Sequence, residues 1–113
     1  GDMLRDFTYI DDIVTGIENI LPCSPEADEN GDRYKIYNIG NNKPEKLLTF
    51  IETLENIIGI EAKKKYLPMQ PGDVYQTYAD VSELEKNFNF KPQTSIGEGL
   101  TRFVKWYREF YHK

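Results

Sequence analysis

Cysteine is nearly absent from this chain of 113 residues: Cys23 stands alone between Pro22 and Ser24. That excludes an internal disulfide and a cysteine-rich zinc site. Histidine is as scarce, with only His112 beside the last residue, so neither a histidine-based catalytic set nor a metal-ligand spacing can be assembled. No apolar run is long enough to span a membrane, and no signal peptide is visible. The formal charge of −5 is spread without a block, which argues against nucleic acid as a partner. The one basic cluster, Lys63-Lys64-Lys65, reads as a solvated edge before a short apolar strand. A glycine-rich strand–helix fingerprint and a phosphate-cradling lysine loop are both missing. No tyrosine is followed four residues later by lysine, so a tyrosine base with a helical lysine partner does not come from this chain. The chain offers no catalytic residue and no metal ligand. A lone thiol fits the reducing cytoplasm.

What is present is ordinary globular material, 39% hydrophobic and 29% charged, with eight tyrosines and six phenylalanines. That suits one domain or part of one. The opening Gly1-Asp2-Met3-Leu4-Arg5-Asp6 gives almost no lead-in to the first element, which favours an excised fragment.

The chain is organised around Arg5-Asp6-Phe7-Thr8-Tyr9-Ile10-Asp11-Asp12. A short alternating run passes into the apolar series Ile13, Val14, Ile17, Ile20 and Leu21, which predicts a strand entering a helix capped by Asp11. The helix should end near Pro22, and residues 24–33 form a polar surface loop. Tyr34 to Ile39 reads as a strand ending at Gly40, and Pro44 suits a first helical turn. Leu47, Leu48, Phe50, Ile51, Leu54, Ile57 and Ile58 then mark an amphipathic helix that Gly59 stops. Lys65-Tyr66-Leu67 is a short strand broken by Pro68, and Val74 to Ala79 is extended. Asp80 with Glu83, and Ser95 with Glu98, have the spacing of capping boxes for two further helices. The last helix carries a broad apolar face, from Ile96 through Phe103 and Tyr107 to Tyr111, that must pack against something.

Strand-helix-strand order argues an α/β fold with right-handed crossovers. Two or three strands make a poor parallel sheet, so a partner domain is expected.

Three polar residues are candidates for binding. Arg5 is by default a salt bridge at a strand start, with Asp6 or Asp73 as partner; functionally, its guanidinium fork matches a phosphate. Asp73 is by default a turn residue after Pro71-Gly72, and otherwise a carboxylate accepting from a pair of sugar hydroxyls. Gln70 is a loop glutamine that is able to donate to a phosphate or hydroxyl. Asp11 and Asp12 are neighbours on a helix and point apart, so a shared carboxylate site is not expected. Tyr9 is core or pocket wall.

The ordered motifs Arg-Asp-Phe-Thr-Tyr-Ile-Asp-Asp, Tyr-Asn-Ile-Gly-Asn, Gln-Pro-Gly-Asp-Val, Thr-Tyr-Ala-Asp and Phe-Val-Lys-Trp-Tyr-Arg cover nearly the whole chain. Together they resemble the C-terminal third of the extended short-chain dehydrogenase/reductase family, the NAD-dependent nucleotide-sugar epimerases and dehydratases. The wording is nearest to bacterial UDP-glucuronate 4-epimerases of capsule biosynthesis. The resemblance implies a C-terminal, substrate-binding portion with one late Rossmann strand–helix piece and without the cofactor half. In these terms residues 1–33 are a strand–helix unit with its loop, 34–59 the Rossmann-associated piece, and 60–113 the substrate side. It implies NAD bound mostly by residues upstream, a UDP-sugar substrate, a missing N-terminal Rossmann domain and a homodimer. Arg5 matches the family arginine on the UDP diphosphate, and Asp73 the acid on the uridine ribose. Gln70 falls where many relatives carry a second diphosphate arginine, a departure that removes one positive fork. The implied reaction is 4-epimerisation of UDP-glucuronate through a 4-keto intermediate in the full-length parent, with this chain inert alone. The alternatives are a dehydratase or decarboxylase of the same fold, or a non-catalytic binding or dimerisation module.

Overall fold

Apolar residues at three-and-four spacing become helix at each place the sequence shows them. In the computed structural model, which describes residues 1–113, α1 is Ile10–Ile20, α2 Leu47–Ile58, α3 Ser82–Phe88 and α4 Ile96–Tyr111. Strand is scarce. β1 is Leu4–Arg5 and β2 is Glu45–Lys46, paired antiparallel with Leu4 opposite Lys46 and Arg5 opposite Glu45. On the other edge of β1, Leu4 bridges Gln76 in parallel. There the Leu4 N–H donates to the Tyr75 carbonyl at 2.9 Å, and the Thr77 N–H donates to the Leu4 carbonyl at 3.2 Å. The predicted first strand shrinks to two residues, yet it is central, flanked on both edges by distant parts of the chain.

Helix ends follow local chemistry, with three corrections. Gly59 stops α2 in the left-handed region at φ 82°, and its N–H donates to the Glu55 carbonyl at 2.8 Å. Ser95 caps α4 by accepting the Glu98 N–H at 3.3 Å; the Glu98 carboxylate pairs with Arg102. Asp11 does not cap α1. The cap position is Tyr9, without a side-chain bond, and Asp11 lies in the first turn facing Arg102 at 3.4 Å. Asp80 sits one residue before the cap position Val81 and accepts the Ser82 N–H at 3.0 Å, a local turn and not a capping box. Pro44 precedes β2 and so opens no helix.

Tyr34 to Ile39 is not a strand. It has no neighbouring strand to complete its backbone hydrogen bonds, and Tyr34 and Ile36 are 71% and 81% exposed. The segment lies against α3: Tyr37 meets Phe88 edge-on at 5.3 Å, and Lys35 pairs with Glu83 at 2.8 Å. Lys65-Tyr66-Leu67 is likewise unpaired.

The core is small. Val81, Leu84, Leu100 and Val104 are its buried hydrophobic side chains, and Phe7 stacks on Phe50 at 4.2 Å where β1 leads under α2. α2 packs on α4. A radius of gyration of 17.9 Å compares with about 13 Å for a compact chain of this length. α1 leaves Ile10, Val14 and Ile17 open, and α4 leaves Phe103, Trp106, Tyr107, Phe110 and Tyr111 open. No helix is long and apolar enough to cross a membrane.

Candidate functional site

β1 presents Arg5, and the 73–77 stretch lies beside it because of the two backbone bonds to Leu4. The turn before that stretch is built by its residue types. Pro71 and Gly72 occupy its central positions, Gly72 has φ 86°, and the Asp73 N–H donates to the Gln70 carbonyl at 3.1 Å. Proline then glycine with a positive φ is the arrangement of a type II turn. It folds Asp73 back toward β1.

The structure brings Arg5 and Asp73 together. Arg5 Nη2 donates to Asp73 Oδ1 at 2.8 Å, while Nη1 donates to the carbonyls of Leu4 at 2.8 Å and Tyr75 at 3.3 Å. These bonds use three of the five N–H donors of a guanidinium and leave two. Asp73 Oδ1 also accepts the Val74 N–H at 2.9 Å, and Oδ2 has no partner within the chain. The side chains are 21% and 39% exposed. An ion pair this open contributes about 0–1 kcal/mol to stability. The default structural reading of Arg5 is therefore correct as geometry, with Asp73 and not Asp6 as partner. As energetics it explains little, and it leaves both groups with unused hydrogen-bonding capacity on one face.

Gln70 is exposed and its side chain bonds to nothing in the chain. It shares with Asp73 a groove of about 610 Å³, whose far wall is α2 with the 62–67 segment. That wall is fixed by Glu55, whose carboxylate accepts the Ala62 N–H at 2.7 Å and is bonded by Lys64. The Lys64 bond first, then the Ala62 N–H, hold Glu55 below the usual carboxylate range, and Glu55 raises Lys64 in turn. So the lysine run is not simply a solvated edge: Lys64 is a tether.

Sequence reasoning missed a second set. Asp6 Oδ2 accepts the N–H groups of Asn42 at 3.1 Å and Ala79 at 3.0 Å, its Oδ1 accepts from Lys43 at 3.5 Å, and its own N–H donates to Thr77 Oγ1 at 3.0 Å. Thr8 Oγ1 accepts from Asn41 at 3.0 Å, and Asp12 Oδ2 accepts from Thr94 at 3.0 Å. Short acceptors thus tie the β1–α1 unit to three loops. The only signal for them was polar residues alternating along a short strand. Asp11 and Asp12 diverge as expected, one to Arg102 and the other to Thr94. Tyr9 is a wall: a Cβ at Gly99 would stand 3.3 Å from its ring.

No family model matches the chain. Protein CapI of Staphylococcus aureus is 47% identical over 100% of this chain and 37% of its own length. A probable UDP-glucuronate 4-epimerase of Rhizobium meliloti is 41% identical, again over 100% of this chain and 37% of the relative. The fold superposes with a TM-score of 0.80 on UDP-glucuronic acid 4-epimerase from Bacillus cereus, solved with UDP-glucuronic acid and NAD. That match has 32% identity and covers 98% of this chain and 34% of that one. The chain belongs to the extended short-chain dehydrogenase/reductase family.

The chain spans about a third of the length of the family members it matches. In those Rossmann-type enzymes the matching third, a small mixed piece of helix and strand, is one part of a larger fold. NAD is the cofactor held by the solved family member. In this chain the donor sets that would grip a dinucleotide, a glycine-rich turn at a helix start or a tyrosine–lysine pair, are missing.

Proposed function

We propose that this chain is the UDP-sugar-binding portion of an NAD-dependent nucleotide-sugar 4-epimerase, with UDP-glucuronate and UDP-galacturonate as its substrate pair. The observation that carries the reading is the meeting of Arg5 and Asp73 beside the Gln70 turn, 68 residues apart in the chain, with unused donors and an unused oxygen. Arg5 contacts the diphosphate as a charge-assisted donor. Asp73 Oδ2 accepts from the uridine ribose, and Gln70 gives the diphosphate a neutral amide in place of a second guanidinium. The likeness to an enzyme solved with UDP-glucuronic acid supports this choice of ligand.

In this reading NAD supplies the hydride chemistry when bound, and this chain's residues hold and orient the nucleotide. The reaction serves a cell-surface or capsule polysaccharide in the cytoplasm, where the exposed Cys23 stays free. The chain alone does no catalysis. A homodimer belongs to the same reading, supported by the aromatic face of α4, and sedimentation of the full-length protein carrying Phe103→Ser with Tyr107→Ser tests it.

The decisive experiment is calorimetry on the full-length protein. Arg5→Ala should weaken UDP-glucuronate binding by about 1.5–3 kcal/mol, the range for a hydrogen bond to a charged group. NAD affinity should stay as it was. Equal UDP-glucuronate affinity in the two proteins returns Arg5 to a structural role, and a product other than UDP-galacturonate changes the reaction assigned.

A further inference from the structure

We propose that Asp6 is a positioning residue for the nucleotide-sugar site, holding the 73–79 stretch at the distance from β1 that sets the Arg5–Asp73 fork. This rests on the reading of Arg5 and Asp73 given above.

Successive residues of a strand face opposite sides. Arg5 reaches Asp73 and Tyr75, whereas Asp6 reaches Thr77 and Ala79 further along the same stretch and also residues 42 and 43. The stretch has no helix and only one bridge of its own, at Gln76. Its course is set by Leu4 in the middle, Arg5 at one end and Asp6 at the other. The carboxylate is the one group that joins all three strands of chain at this point. It is acceptor-only, which suits converging backbone N–H groups.

The junction has no slack. A Cβ at Gly40 would stand 2.5 Å from the Ala79 Cβ and 3.1 Å from Asp6 Oδ2. With Asp6 removed, the N–H groups of Asn42 and Ala79 lose the acceptor that joins them. The 77–79 segment then releases from β1, and Asp73 loses its place against Arg5.

The test is UDP titrated calorimetrically into the NAD-loaded full-length protein. Asp6→Ala should raise the Kd for UDP about tenfold, a factor equal to about 1.4 kcal/mol, and leave the Kd for NAD unchanged. Asp6→Asn should stay within about threefold of wild type, because its amide oxygen in the place of Oδ2 keeps the two shortest bonds. Thr77→Val removes the acceptor of the Asp6 N–H and should raise the Kd for UDP about threefold; it decides the matter if Asp6→Ala does not fold. A lower melting temperature with an unchanged Kd for UDP in the folded variants makes Asp6 merely structural and overturns the proposal. So does a parallel rise in the Kd for NAD. If Arg5→Ala leaves UDP binding intact, or wild type binds no UDP, the site reading itself fails and this inference falls with it.

Discussion

A guanidinium with three donors committed and two open holds its shape whether or not a ligand arrives. That preset geometry is what a diphosphate site needs, since the side chain's ordering has already been met by the Leu4 and Tyr75 carbonyls. It leads to different expectations for the two partners. Asp73→Asn keeps the shape but removes the charge, so the melting temperature of the ligand-free protein should move little, as befits an open pair of about 0–1 kcal/mol. Its affinity for UDP should fall by several-fold; a large melting shift with intact binding is the contrary result. Gln70→Arg adds a positive fork to the same groove. UDP should bind more tightly at low salt, and the gain should shrink as ionic strength rises, because exposed charges are screened. A gain independent of salt would point away from charge. Gly40→Ala works through space alone: a Cβ 2.5 Å from that of Ala79 forces the loops apart, at a cost of about 1–3 kcal/mol typical of overpacking. Denaturant midpoints measure it.

Among the elements, helices were legible and strands were not. α2 and α4 announce themselves by apolar spacing and by their own terminal residues, Gly59 and Ser95, and these signals are local. A strand depends on what lies beside it. Tyr34–Ile39 has the composition of a strand and no partner to pair with, so it lies against α3 without regular structure. β1 has almost no length and becomes the centre of the fold because two remote stretches pair with it. The site divides the same way. Arg5 and Asp73 stood out as residue types and through resemblance, whereas the Asp6 junction needed loops 40–43 and 77–79 in place before its bonds existed. Periodicity also missed the tether between α2 and the 62–64 segment, and this one is sensitive to pH. Glu55 is held below its ordinary value by Lys64 and the Ala62 N–H, so the folded chain takes up that proton at lower pH than the unfolded one. The tether's contribution is complete above about pH 4.3, the ordinary glutamate value, and is lost as pH falls through the lowered folded value. Melting curves of the full-length protein and its Glu55→Gln variant should therefore differ near neutrality and converge in acid. Parallel curves throughout that range would mean that the bond adds nothing.

The molecule as a whole is open: its dimensions of 56 × 37 × 22 Å and radius of gyration of 17.9 Å belong to a chain whose apolar faces look outward. Along α4 Trp106 stacks on Phe110 at 5.5 Å and Phe110 meets Tyr111 edge-on at 4.9 Å, all three half exposed or more. Ile10, Val14 and Ile17 are exposed on α1. A contiguous apolar surface of this kind seeks cover, either from the remainder of an enzyme or from another copy. Residues 1–113 prepared alone should therefore bind a hydrophobic dye strongly and gain mass with concentration in light scattering. Replacing Phe103 and Phe110 together by serine removes two large exposed side chains while leaving Leu100 and Val104, the buried hydrophobic residues of the same helix, in place. The variant should bind less dye and scatter less, with helix content by circular dichroism little changed. If the isolated chain is instead a dye-silent monomer with a sharp thermal transition, its core is larger than Val81, Leu84, Leu100 and Val104. The dependence of this fold on further protein would then be wrong.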